Sequence, residues 1–124
     1  MKTVCNVMSS LTDRLVEAFI SCTLPKSEWT HHTHLRVGLW HLLHYPQDES
    51  VTILRQSIKK YNFVGGIENT ESQGYHETIT LFYIWLINKF IQQADCSQPI
   101  DLLADELINR YGDKSLPFRY YPLG

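Results

Sequence analysis

Between Trp29 and Leu35 the chain sets three histidines in four positions, His31, His32 and His34, directly after Thr30, a residue suited to cap a helix. A second polar group, Tyr75-His76-Glu77-Thr78, opens another helical stretch further on. Gathering four imidazoles and a carboxylate is costly unless they bind something, and a metal is the commonest reason to do so. The chemistry that these residues could perform is therefore that of a small divalent-metal site. No HExxH pair, P-loop or GxGxxG motif accompanies them.

The elements that must position these groups read as a row of helices. Leu11, Leu15, Val16, Phe19 and Ile20 form one apolar stripe, capped by Ser9 or Ser10 and stopped before Pro25. A second helix starts at Thr30 and runs to about Tyr45, where Pro46 ends it. A third begins near Asp48, carries Val51, Leu54, Ile58 and Tyr61 on one side, and terminates at Gly65-Gly66. A polar loop with Glu68, Asn69, Glu71 and Gln73 leads into the longest helix, from Tyr75 to about Gln93. A fifth runs from Ser97, its cap, to Tyr111, closed by Gly112. An irregular tail follows, residues 113–124, with Pro117 and Pro122. The expectation is an all-α, single-domain bundle of four to five helices over residues 1–124.

At about 100° per residue, His31, His34, Gly38 and His41 share a stripe that borders Leu35 and Leu42, whereas His32 and His44 point to solvent. Gly38 leaves room for a neighbouring helix or for a ligand. On the longest helix His76, Thr80 and Tyr83 fall inside the apolar arc, with Glu77 at its edge. If consecutive helices alternate in direction, the second and fourth run parallel and bring both clusters to one end of the bundle. Positive helix N-termini there favour neutral imidazoles, and would also stabilise a bound anion. Trp29, Trp40, Tyr61, Tyr83 and Trp85 are expected to pack the core. Trp29, Tyr75 and residues 68–74 are candidates for a substrate rim, and Arg119 in the tail could answer a carboxylate.

A net charge of -2 gives no electrostatic reason to expect nucleic acid or anionic membrane as a partner. No apolar run reaches membrane-spanning length, and residues 1–10 lack the apolar core of a signal peptide. Cys5, Cys22 and Cys96 are far apart and odd in number, which argues against a disulfide framework and points to a cytoplasmic protein. The apolar content leaves room for a homodimer.

Taken with the loop at residues 62–66, Trp29-Thr30-His31, His34-Leu35 and Gly74-Tyr75-His76-Glu77-Thr78-Ile79-Thr80 resemble a family of small, mostly uncharacterised bacterial all-helical proteins. That family carries Thr-His-x-x-His-Leu and Tyr-His-Glu-Thr motifs, and the likeness covers roughly residues 25–90. The resemblance implies His31 and His34 as site residues, with His32 incidental. It implies no particular reaction.

The leading expectation is an enzyme that transforms a small molecule at a divalent-metal site built from His31, His34, His76 and Glu77. Such a set leaves a coordination position open for water or substrate. Iron, manganese, nickel, copper and zinc all accept these ligands, so residue type does not choose among them. Glu77 would be a ligand or the general base, and Thr80 and Tyr83 would orient the substrate. The alternatives are a non-catalytic helical module binding a metal or an organic anion, and a metal-free enzyme using His76 and Glu77 as an acid–base pair. An isolated His-x-x-His is more often a pair of partly exposed residues bonded to backbone and water, and a lone His76 more often a satisfied core histidine. Their combination with Glu77 at parallel helix starts favours a site.

Overall fold

The computed structural model describes residues 10–66 and 77–113, which form five α-helices and no strand. They are α1 (Leu11–Ile20), α2 (His31–His44), α3 (Gln47–Val64), α4 (Glu77–Gln93) and α5 (Ile100–Tyr111), with a short 3-10 turn at Lys26–Glu28. None is long and apolar enough to cross a membrane.

Local chemistry sets most of the helix ends. The Ser10 hydroxyl accepts from the Asp13 N–H at 2.9 Å and caps α1, and Thr30 does the same for α2 through the Thr33 N–H at 3.2 Å. Ser10 is thus the cap of α1. Beyond the end of α1, Cys22 takes a left-handed conformation (φ 62), and Thr23 and Leu24 return their N–H groups to the Ala18 carbonyl. The chain then reaches Pro25. Pro46 follows the extended Tyr45 and starts α3, while Gly65 and Gly66 (φ 80) close it. The start of α5 differs from expectation. Asp95 Oδ1 takes both the N–H and the hydroxyl of Ser97, so Ser97 belongs to a turn and Pro99 occupies the cap position.

One cap comes from a distant helix. Asp101 at the start of α5 accepts from the Leu11 and Thr12 N–H groups at 2.9 and 3.0 Å and from the Thr12 hydroxyl at 2.6 Å. It thereby satisfies first-turn donors of α1 that have no partner within their own helix. Partial burial pushes its carboxyl pKa up, but these three bonds and the charge of Arg36 outweigh that and hold it below the usual carboxylate range. Arg36 completes the join, reaching Thr12 at 3.2 Å and Asp105 at 2.8 Å.

At the centre lies α2, which packs against all four other helices. Its buried positions, Leu35, Val37, Gly38, Leu39, His41 and Leu42, go most of the way round the helix rather than along one stripe, as a central helix requires. The core is completed by Val16 and Phe19 of α1, Leu54 and Tyr61 of α3, Ile84, Ile87 and Phe90 of α4, and Leu103 and Leu107 of α5. At Gly38 an added Cβ would lie 2.9 Å from Ile87 Cδ1, so the space there belongs to α4 and not to a ligand.

Two tie points fix the direction of α4. His31 faces Tyr83 and Gly38 faces Ile87, so α2 and α4 run parallel. Against α3 the order reverses, with Gln47 bonded to Asn88 and Arg55 to Glu77. Trp85 corrects the expectation of a core residue, because 43% of it is exposed and Lys89 Nζ lies 5.2 Å from its ring centroid.

Candidate functional site

His31 is the first residue of α2 and His34 stands one turn later, so Thr30 fixes the backbone from which both project. Their rings meet different neighbours. His31, half-buried, approaches Tyr83 of α4 edge-on with ring centroids 5.2 Å apart. His34 lies on Trp29, centroid to centroid 3.9 Å. Trp29 is itself stacked on Phe19 at 4.5 Å and tilted against Tyr61 at 5.3 Å, and the Tyr61 hydroxyl donates to the Leu24 carbonyl at 2.7 Å. The result is a fixed aromatic wall behind His34.

The electrostatics follow from that packing. His34 is exposed as a residue, like His32 and His44, but its ring lies on Trp29. Desolvation, and after it the charge of His31, lowers its pKa from 6.5 to about 4. Even a much smaller shift would leave it neutral near pH 7, the form that offers a nitrogen lone pair. Tyr83 is pushed the other way, up to about 12, by burial of its hydroxyl and then by the charge of Asp113. It is therefore a phenol and not a phenolate at neutral pH.

His31 and Glu77 stand at different levels of the bundle. His31 opens α2, and its neighbour Tyr83 on α4 is six residues beyond Glu77. At 1.5 Å per residue that is about 9 Å along the helix. Thr80 and Tyr83 are thus nearer the level of His31 than Glu77 is, and both are half-buried. Glu77 is exposed and takes a bidentate bond from Arg55, with Nε to Oε1 at 3.0 Å and Nη2 to Oε2 at 2.6 Å. Sequence reasoning misses Arg55, because nothing local ties it to a residue 22 positions away.

His32 and His44 are exposed. The Nε2 of His32 lies near the end of α5, 3.2 Å from where a Cβ on Gly112 would stand. His44 stacks on Trp40 at 4.0 Å and donates Nδ1–H to the Trp40 carbonyl. His41 is the most buried of the described histidines. Only 1% of it is exposed, and its Nδ1–H donates to the Val37 carbonyl at 2.8 Å. Burial lowers its pKa and the backbone bond raises it less, so it is a neutral core histidine. His76, Tyr75, residues 68–74 and Arg119 lie outside the described residues. Among those described, no three His, Cys, Asp or Glu side chains gather closely enough to hold a metal ion. What the described residues bring together is His31 with Tyr83 and, one turn further along α2, His34 with Trp29. Comparison with protein-family models, with curated proteins and with solved structures returns no match.

Proposed function

We propose that the protein binds a divalent transition metal through His31 and His34 and presents it to a small-molecule substrate at the end of the bundle where α2 begins. The observation that supports this reading most is the placing of the His34 imidazole on Trp29, one turn from His31 on the same helix. Neutral nitrogens on a rigid helix match the donor chemistry of zinc, nickel, copper, iron or manganese. Two imidazoles are too few for a stable site, and His76, which directly precedes Glu77, is the third ligand in this proposal.

When bound, such a metal would supply Lewis acidity to a substrate oxygen or to water. The chain's own residues would supply the rest. Tyr83 would donate a hydrogen bond to the substrate, Thr80 would orient it, and Glu77 would hold or release a proton. Arg55 bears on that last role, because its bidentate grip favours the ionised carboxylate of Glu77. Should Glu77 instead serve as a ligand, it would have to share its oxygens with Arg55. That grip also keeps a second reading in view, a non-catalytic module that binds a metal or an organic anion.

The test is metal uptake by protein carrying no polyhistidine tag. Wild-type protein should bind Co²⁺ or Zn²⁺ at neutral pH, and His31→Ala, His34→Ala and His76→Ala should each weaken binding by more than about tenfold, a loss that even removal of a ligand's hydrogen-bond partner reaches. His32→Ala and His44→Ala should leave it unchanged. A wild-type protein that takes up neither metal ends the proposal.

A further inference from the structure

On the side of α4 away from His31, an exposed row runs Glu77, Leu81, Trp85 and Lys89, each step four residues. Leu81 is 41% and Trp85 43% exposed. Single exposed apolar side chains are ordinary. Two of them on one row, closed by an anion at one end and a cation at the other, form a pattern. Residues four apart make a ridge along a helix, and the commonest packing of two helices lays one such ridge beside another.

We propose that this ridge is the interface of a homodimer, with α4 of a second copy lying antiparallel across it. The row has the same spacing read from either end. A two-fold axis midway between Leu81 and Trp85 therefore brings each Leu81 to the other copy's Trp85 and each Glu77 to the other copy's Lys89, as an isologous contact requires. The charges choose the direction, because a parallel pair in register would set Glu77 beside Glu77 and Lys89 beside Lys89. Arg55 already holds the Glu77 carboxylate, but a carboxylate has about four acceptor sites and can take a lysine besides. Lys89 stands on the ridge itself, its Nζ 5.2 Å from the Trp85 ring centroid. The flanking helix repeats the complementarity. Gln47 is bonded to Asn88 and Arg55 to Glu77, so α3 sets Asp48 and Glu49 at the Lys89 end of α4 and Arg55 at the Glu77 end. The same axis brings the acidic end of one α3 towards the basic end of the other. With 17 residues α4 is about 25 Å long, and one helix pair of that length falls short of the ~1,600 Å² of a standard interface. The dimer is thus weak, and its anchor is Trp85, of a residue type enriched at interface hot spots. None of this depends on the metal reading.

Sedimentation velocity of the full chain across a concentration series is the test. Wild-type protein should pass from monomer to dimer between micromolar and millimolar concentration. Leu81→Ser and Trp85→Ser, each counted twice in a two-fold interface, should each raise the dissociation constant by more than about tenfold. Their circular dichroism should match that of wild type. Glu77→Lys and Lys89→Glu should each associate less than wild type does. Mixed in equal amounts they should form a heterodimer, because one copy then carries two cations on its ridge and the other two anions. That recovery separates the interface from mere loss of the Arg55–Glu77 pair, which Glu77→Lys breaks alone and in the mixture alike. Wild-type protein that stays monomeric up to millimolar concentration overturns the proposal, whatever other molecule or segment covers the ridge. So does a dimer that both serine variants leave intact, or a mixture no more associated than its two components.

Discussion

His34 lies between the indole of Trp29 and the charge of His31, and both surroundings oppose its protonation. Its pKa is about 4 in the folded chain against 6.5 for an unperturbed histidine. Above pH 6.5 neither state holds the proton and the stability is complete. As pH falls from 6.5 towards 4 the unfolded chain binds a proton that the folded chain refuses, so stability declines, and below about 4 this group costs nothing further. His41 acts in the same direction. Because His34 is exposed as a residue, solvent screening limits the size of the effect, and its direction is the test. Urea midpoints measured across that range should fall less steeply for His34→Gln than for wild type. Equal slopes would mean that His34 titrates normally. Residues whose work is local are legible in the chain itself: Thr30 caps a helix because its own hydroxyl reaches Thr33. Ser97 has the type of a cap but not the role, because its hydroxyl turns back to Asp95, two positions before it, and not towards α5. The Asp101–Thr12 and Arg55–Glu77 pairs span 89 and 22 residues, and no periodicity announces such partners.

The contact between α2 and α4 is closest where Gly38 meets Ile87. An alanine there would gain about 1 kcal/mol of helix propensity but would press on Ile87 Cδ1 from 2.9 Å. Since that methyl ends a side chain, it can turn aside, at the cost of an altered rotamer in a packed core. Gly38→Ala should therefore stay within about 1 kcal/mol of wild type, whereas the branched Gly38→Val should cost more than about 2 kcal/mol through overpacking. Chemical denaturation of both variants checks this, and a Gly38→Val protein as stable as wild type would show that α2 and α4 separate easily. At this scale the direction of the helices is legible in the sequence, because consecutive helices in a bundle usually alternate and the parallel pair follows from alternation. The stagger is not. The offset that sets Tyr83, and not Glu77, beside His31 depends on how α4 seats against Gly38 and Arg55, and a helical wheel carries no information about height. The same limit explains α2, where the wheel predicts a one-sided stripe and burial on most sides is found. A wheel assumes one neighbour, and α2 has four.

For the molecule as a whole, the central place of α2 should make it the last element to open. Amides of Val37, Leu39, His41 and Leu42 should exchange with solvent only through global unfolding, with the denaturant dependence of the complete transition. Those near Leu11 and Tyr111, at the ends of outer helices, should exchange through smaller openings. Native-state hydrogen exchange measures both, and sub-global exchange at Leu39 would show that α2 is not the last element to open. Being central also has a consequence for the order of synthesis. Among the described helices α2 is the second to be made, but the last of those that cover it, α5, is complete only once Tyr111 has been added. At roughly 5–20 residues per second the ribosome needs several seconds to get there. For that interval the flank of α2 that will meet Leu103 and Leu107 faces water or a chaperone. Slow codons between α4 and α5 would therefore lengthen the time in which a nascent chain can be lost to aggregation.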